Sequence, residues 1–283
     1  VLTTILWAVN IVVAKIATSE LDPLFIAPIR ILMTAAVFYP MLPREERKIR
    51  AADWKAILPL AVLGMAANQF CFASGIKLTT PSHSAVIHML LPAFVAGTAW
   101  LVLRETLSGR AVVGMVLALG GALIVVLGSR RVEPQGVLMG DLITAVGIVA
   151  FSIYMVFGRK VMATMGSRRM VTLAFLFASP VMAPLLVWGA VRQDWSVVTI
   201  RGWSALAYMW IFANMIAYLL HSYSLARLKA GQVAAFTNLQ PAIAIGVSAL
   251  AGERLTGTLL AGSAVALAGV ILVQLRGPSL KIE

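Results

Sequence analysis

Residues 105–125 read ETLSGRAVVGMVLALGGALIV and are the most informative stretch for the architecture of this chain. After Arg110 the stretch is an apolar run without alternation of polar and apolar residues. About 20 such residues, at 1.5 Å each, cover the roughly 30 Å hydrocarbon core of a bilayer as a helix. Only helices and closed barrels can span lipid, because unpaired backbone groups are too costly there. Since barrel strands alternate, the stretch predicts a transmembrane helix.

The composition extends this conclusion to the whole chain. Of its 283 residues, 60% are hydrophobic and 12% are charged, and the mean hydropathy is +0.93. A soluble domain has roughly 45–50% apolar and about 25% charged residues. The net charge of +12 could suggest nucleic acid, but basic loops beside a bilayer give the same excess. We therefore expect a lipid bilayer as a partner and no nucleic acid.

Apolar runs of similar length recur along the chain and predict an all-α polytopic membrane protein with ten transmembrane helices. The predicted spans are 1–17, 23–42, 54–74, 82–103, 108–128, 140–162, 169–190, 203–222, 231–252 and 257–275. The first span begins at Val1 and is short, so we expect that the start is trimmed and that part of a helix or a tail is missing.

The loops are short, and their basic residues predict the orientation. Fifteen Lys and Arg residues fall on the side of the N-terminus and seven on the opposite side, with Arg30 inside a span. Lys and Arg accumulate on the cytoplasmic side of membrane proteins. Both termini are therefore predicted to be cytoplasmic, although Arg130 and Arg131 run against the rule.

The opening stretch has a second copy in the chain. Shifted by 148 residues, Glu105–Val125 aligns with Glu253–Val273 at 8 of 21 identical positions, and both copies begin Glu-x-Leu-[Ser/Thr]-Gly. The sequence thus predicts two five-helix repeats, 1–128 and 140–275, with a linker at 129–139 and a cytoplasmic tail at 276–283. Because five is odd, the repeats are inverted, as in secondary transporters whose substrate site lies near the midplane. Duplication in a structural or enzymatic membrane protein is the alternative.

Particular residues of each half carry a resemblance to a known family. In the first half these are Trp7-Ala8-Val9-Asn10, Lys15, Asp22-Pro23 and Arg30. Near the end of each half they are Pro92 with Glu105-x-Leu-x-Gly109 and Pro241 with Glu253-x-Leu-x-Gly257. The chain resembles the drug/metabolite transporter superfamily, EamA type. The resemblance implies a ten-helix carrier of the bacterial inner membrane, and within the family the chain is most similar to exporters of amino acids, aromatic ones included.

The acidic residues bear on the mechanism. All eleven fall in predicted loops or at predicted helix ends. Carriers coupled to protons or sodium usually keep a buried acid for the ion. The pattern therefore favours facilitated diffusion or exchange, with proton-coupled export of drugs or other metabolites as the alternative. Glu105 and Glu253 are expected to stabilise the N-termini of the helices that follow them, with Ser108 and Thr256 as caps.

Aromatic and uncharged polar residues form faces on several predicted helices, as in Trp210, Asn214 and Tyr218, which are four residues apart. The predicted substrate-binding residues are Trp7, Asn10, Asn68, Phe72, His88, Phe151, Tyr154, Trp210, Asn214, Tyr218, Asn238 and Gln240, and the predicted hinges are Pro92 and Pro241. A cavity of this composition suits a zwitterion with a large or apolar side chain. For each residue taken alone, helix packing or an interhelical hydrogen bond is the alternative.

Other classes of function find little support. Ser84 and His88 are one helical turn apart, but no acid within the spans orients the histidine, so we do not expect an enzyme. A glycine-rich nucleotide loop with lysine is missing from the sequence, and the one cysteine, Cys71, lies in an apolar run. We expect no metal or cofactor, a small-molecule substrate, and a monomer or weak dimer. Glycine rows after residues 109 and 257 predict close helix packing, between the halves or with a second subunit.

Overall fold

The computed structural model describes residues 1–128, 136–220 and 239–274, and the regular secondary structure in these ranges is helical. In chain order the α-helices are α1 Leu2–Glu20, α2 Pro23–Met41, α3 Ala51–Ala61, α4 Asn68–Leu78, α5 Pro81–Met89, α6 Leu91–Leu103, α7 Gly109–Gly128, α8 Val137–Met165, α9 Ser167–Arg192, α10 Ile200–Tyr208, α11 Leu239–Leu250 and α12 Gly257–Gln274. Two π-helices, π1 Val62–Ala67 and π2 Met209–Ile216, and a 3₁₀ turn, Trp195–Val197, complete the order.

The predicted membrane spans are found in the described part of the chain. Nine helical segments there are long and apolar enough to cross a bilayer, among them the continuous segments Ala51–Leu78, Pro81–Leu103 and Ile200–Leu220. Helix α11 is a shorter apolar helix, and the remainder of the predicted span 231–252 lies partly outside the described residues. The fold class, an all-helical multi-pass membrane protein, is confirmed.

The two π-helices occupy equivalent places in the two halves. Segment π1 interrupts the third predicted span and π2 the eighth, and a shift of 148 residues carries Val62–Ala67 onto residues 210–215, inside π2. A π-helix bonds each carbonyl to the N–H five residues on, and it is rare outside functional regions. The internal repeat is therefore seen in a local irregularity of the backbone as well as in the sequence.

Helices α7 and α12 pack with their backbones in contact. A Cβ added to Gly114 would lie 2.6 Å from the carbonyl oxygen of Gly269, and one added to Gly121 would lie 2.5 Å from that of Gly262. The order of these contacts makes the helices antiparallel. The glycine rows thus join the two halves of one chain, which settles the choice that the sequence left open.

Helix ends follow local capping rules with one difference from expectation. Ser108 Oγ accepts from the N–H of Ala111 at 3.2 Å, and Thr256 Oγ1 accepts from that of Leu259 at 3.1 Å, as predicted. The expectation for Glu253 is wrong, because its Oε2 accepts from the N–H of Ser82 at 3.2 Å, at the start of α5 rather than α12. At the start of either helix, a carboxylate meets the positive end of a helix dipole. Tertiary packing places Glu253 at the start of α5.

The predicted hinge residues lie at interruptions of different kinds. Helix α5 ends at Met89 and α6 begins at Leu91, so the predicted span 82–103 is broken just before Pro92, whose missing N–H removes a helical hydrogen bond. Pro241 is the third residue of α11. Their role as hinges stays a prediction.

Candidate functional site

A buried arginine lies at the contact between the two halves. Arg30, on α2, is 2% exposed, and its Nη2 donates to Asn214 Oδ1 at 2.5 Å and to the carbonyl oxygen of Met209 at 3.4 Å. Asn214 Nδ2 donates in turn to Thr34 Oγ1 at 3.4 Å, and Thr34 Oγ1 donates to the carbonyl oxygen of Arg30 at 2.6 Å. The polar side chains of α2 and π2 therefore hold each other in place across the repeats.

Aromatic rings surround this polar group. Trp7 Nε1 donates to the carbonyl oxygen of Ala213 at 3.0 Å, and its ring meets that of Tyr218 edge-on at 5.7 Å between centroids. Tyr218 also meets Phe175 edge-on at 5.6 Å between centroids. We call Trp7, Arg30, Thr34, Phe175, Asn214 and Tyr218 the central cluster. It draws on α1, α2, α9 and the span that contains π2.

Several buried polar side-chain atoms of the described residues lack a hydrogen-bond partner. Within the described residues, these buried atoms include Nε and Nη1 of Arg30, Oδ1 of Asn10 and Nε1 of Trp210. A buried polar group without a partner is rare and costly, and a charged one more so. The charged group among them, the guanidinium of Arg30, is therefore a candidate ligand site.

Other predicted site residues make contacts within and between helices. Asn68 Nδ2 donates to the carbonyl oxygen of Gly147 at 3.0 Å, and Tyr154 donates its hydroxyl to Met170 Sδ at 3.4 Å. Phe151 and Tyr154 stack at 5.4 Å, and Phe72 meets His88 edge-on at the same centroid distance. These contacts match the packing alternative, and a role in substrate binding stays a prediction for each.

Few contacts in the described residues bear on the predicted roles of His88, Asn238 and Gln240. His88 Nδ1 donates to the carbonyl oxygen of Ser84 at 2.8 Å, so that nitrogen is engaged by backbone. Gln240 is half-buried near the start of α11, while Asn238 lies outside the described residues. Where the chain is described, no group of three or more His, Cys, Asp or Glu side chains could hold a metal ion.

The sequence did not predict two contacts between acidic side chains and basic partners. His83 Nδ1 donates to Asp141 Oδ2 at 2.9 Å, with both side chains at most 4% exposed, and Thr79 donates to Asp141 Oδ1 at 2.5 Å. Arg169 Nη2 donates to Asp53 Oδ2 at 2.8 Å. Both carboxylates lie near helix starts, as predicted, but they are buried and paired. Their partners are 58 and 116 residues away in the sequence, so no local signal could have found them.

The two pairs lie on opposite membrane faces, because successive spans alternate in direction. Asp141, at the start of α8, is on the face of the α4–α5 turn, and Asp53, at the start of α3, is on the face of Val1. On the Asp141 face, Lys15 Nζ donates to the carbonyl oxygens of Ile76, Lys77 and Thr79 at 2.7–3.1 Å. The charged side chains at these helix ends thus have hydrogen-bond partners, whereas Nε and Nη1 of Arg30 have none in the described residues.

Comparison with known proteins supports the same assignment of fold. A family model described as the EamA-like transporter family matches residues 1–127 and 138–275. A solved crystal structure superposes with a TM-score of 0.65 at 18% identity, covering 96% of this chain and 93% of the other. At that identity the likeness concerns the fold alone.

Three curated relatives are bacterial proteins named as transporters or efflux pumps. A protein of Salmonella typhimurium named "Probable amino-acid metabolite efflux pump" is 27% identical, over 96% of this chain and 92% of its own length. A protein of Escherichia coli with the same name is 25% identical over the same shares. The "Uncharacterized transporter YetK" of Bacillus subtilis is 22% identical over 83% of this chain and 73% of its own length.

Proposed function

The chain belongs to the EamA-like transporter family, and we propose that it exports amino acids, neutral and aromatic ones included, or related small metabolites. The names of the Salmonella and Escherichia coli relatives, efflux pumps for amino-acid metabolites, support this substrate class. The proposal places the protein in the bacterial inner membrane with both termini cytoplasmic, as the distribution of basic residues favours. It acts there as a monomer or weak dimer.

The observation that carries the proposal is the composition of the central cluster. Aromatic rings from α1, α9 and the π2 span surround amide and hydroxyl groups that belong to both halves of the chain. Aromatic walls suit a large apolar side chain, and a few fixed polar groups orient the rest of a ligand. A site at the contact of two inverted repeats is reached from alternate faces when the repeats rock against each other.

We propose facilitated diffusion or exchange as the mechanism. In the described residues, the two buried carboxylates, Asp53 and Asp141, lie at helix starts and are paired with Arg169 and His83. Neither is placed like the mid-membrane acid of an ion-coupled carrier. Proton-coupled export is the second candidate, favoured by the His83–Asp141 pair, because this hydrogen-bonded pair is buried and shared between the halves.

Counterflow in liposomes tests the proposal. Purified protein reconstituted with unlabelled phenylalanine inside is expected to accumulate radiolabelled phenylalanine without any ion gradient. Asn214→Ala should lower this flux by about tenfold, since it removes an amide of the central cluster. Trp210→Ala should lower it too if the buried Nε1, which has no partner in the described residues, binds the substrate. Trp188→Ala is the matched control, because Trp188 is 51% exposed on α9 and should leave the flux unchanged.

The outcomes separate the alternatives. Absence of counterflow for phenylalanine and other zwitterions, by protein that is folded and monodisperse, would refute the substrate class. Flux that requires a pH gradient and is lost in Asp141→Asn would replace exchange with proton coupling.

A further inference from the structure

We propose that the guanidinium of Arg30 binds a carboxylate of the transported molecule, an inference that rests on the proposed function and names the charged subsite within it. The central cluster then contains a cation that binds an anionic group of the substrate. Four observations support this assignment: the depth of Arg30, its unpartnered nitrogens, its neutral neighbour and the contrast with other cations in the same fold.

Arg30 is buried in the interior of its span, away from both ends of the helix. It is the eighth of the 19 residues of α2, and its side chain is 2% exposed. Arginine keeps its proton in proteins, so a positive charge remains inside the membrane-spanning region. A charge at that depth is costly, and side chains that carry one face the bundle interior or a ligand pathway.

Most of the hydrogen-bonding capacity of Arg30 is unused. A guanidinium has five N–H donors, of which one is on Nε and two are on each Nη. Only Nη2 has partners in the described residues, whereas Nε and Nη1 are buried without any. Three donors are therefore left for an acceptor that the described protein does not supply.

The partners that Arg30 does have are neutral. Asn214 offers an amide oxygen and Met209 a backbone carbonyl, so the side chain is oriented but its charge is not compensated. Asn214 is itself fixed by Thr34, which holds the acceptor in position. A carboxylate is the acceptor-only group that matches unused N–H donors on a guanidinium, through charge-assisted hydrogen bonds.

Elsewhere the same fold supplies partners for its cations. Arg169 Nη2 donates to the carboxylate of Asp53, and its Nε and Nη2 also donate to the carbonyl oxygens of Glu46 and Lys48, each at 2.8 Å. Lys15 is held by three carbonyl oxygens at the end of α4. Among these three cations, Arg30 is the one with buried N–H donors that have no partner in the described residues.

The neighbouring groups complement the rest of an amino acid. Oδ1 of Asn10, one turn from Trp7 on α1, is a buried acceptor without a partner in the described residues, and it suits an ammonium group. Trp7, Phe175 and Tyr218 provide the aromatic surface for a side chain. The carboxylate is the part of the ligand for which Arg30 supplies the donors.

The experiment compares ligands that differ in the carboxylate. Counterflow of phenylalanine is measured beside that of phenylalaninamide, which keeps the ring and the amine. Arg30→Gln should lower phenylalanine flux by about tenfold or more, the effect of losing a hydrogen bond to a charged group, and should leave amide flux within about twofold. Arg30→Lys should restore part of the phenylalanine flux, and Arg110→Gln, exposed at the start of α7, is the matched control.

A second variant covers the case in which Arg30→Gln does not fold. Asn214→Asp places a carboxylate of the protein beside Arg30 at the position of the 2.5 Å contact. This change should raise the thermal stability in detergent, since it pairs a buried charge, while it lowers phenylalanine flux by competing for the guanidinium. A purely structural Arg30 would give higher stability with phenylalanine flux no lower than that of phenylalaninamide.

A binding measurement separates this inference from the proposed function. Phenylacetate at millimolar concentration should raise the thermal stability of the purified wild-type protein, and phenethylamine should raise it less. The Arg30→Lys variant should retain part of the response and Asn214→Asp should lose it. If phenylalanine is not transported but this pattern holds, the amino-acid assignment fails and the carboxylate site stands. If phenylalanine is transported equally by wild type and folded Arg30→Gln, the carboxylate site is overturned and the proposed function stands.

Discussion

Arg30, which is buried, and Arg169, which is partly exposed, lie on helices that pack against each other, α2 and α9, and their surroundings differ. Arg169 lies at the third residue of α9, at the membrane face of Val1, with Asp53 and two backbone carbonyls as partners. Arg30 lies deep in α2 beside an amide. The comparison indicates that groups of the protein alone can stabilise a charge at a helix end. At mid-span, the proposed ligand carboxylate compensates the charge.

The largest expected effect is on stability and concerns the paired arginine. Asp53→Asn removes the carboxylate that pairs with Arg169 and leaves this mostly buried cation without its charged partner. The change should lower the free energy of unfolding by about 2–4 kcal/mol. Thermal unfolding in detergent measures the loss. Asp194→Asn, at an exposed loop, should be nearly neutral. If Arg30→Gln destabilises the protein as much as Asp53→Asn, the distinction between the two arginines is lost.

A smaller loss is expected at the other membrane face. Asp141→Asn removes the acceptor shared by His83 and Thr79 and should lower the free energy of unfolding by about 1–3 kcal/mol, because two buried donors lose a charged partner. The same thermal measurement applies. An unchanged stability would show that burial of this pair is energetically neutral, and would separate it from the Arg169 pair.

The smallest expected effect compares the amides of the two halves. Asn68→Ala removes one bond to the carbonyl oxygen of Gly147, and interhelical hydrogen bonds of this kind contribute about 0.6 kcal/mol in membranes. We expect a slight loss of stability and phenylalanine flux within about twofold of wild type. Flux as low as that of Asn214→Ala would extend the substrate site into the first-half π1 region.

The fold was largely predictable because hydropathy determines which segments enter lipid, and the segments around Leu2–Glu20, Pro23–Met41 and Gly109–Gly128 appear close to where the sequence places them. The π-helices were not predictable, since an extra residue in a helical turn leaves the hydropathy of the span unchanged. Capping by Ser108 and Thr256 is local and was found, whereas the contact of Glu253 with α5 depends on tertiary packing and was not.

The site was predictable only in part, for the same reason. Asn214, Trp7 and Tyr218 stand out as polar or aromatic residues inside spans, and they meet in the central cluster. Phe175 carries no such signal among many apolar neighbours on α9. Arg30 was visible as a charge inside a span, but whether a buried charge has a partner depends on helices far away in sequence.

The glycine contacts between α7 and α12 also have the geometry of a contact between two identical half-chains. Under the shift of 148 residues Gly114 corresponds to Gly262 and Gly121 to Gly269, yet Gly114 touches Gly269 and Gly121 touches Gly262. Each glycine thus meets the counterpart of the other, which is the reciprocal pattern of an isologous homodimer. The seam inside this chain therefore has the symmetry of a subunit interface, and a five-helix protein carrying one such helix could have paired through it before the two copies became a single chain.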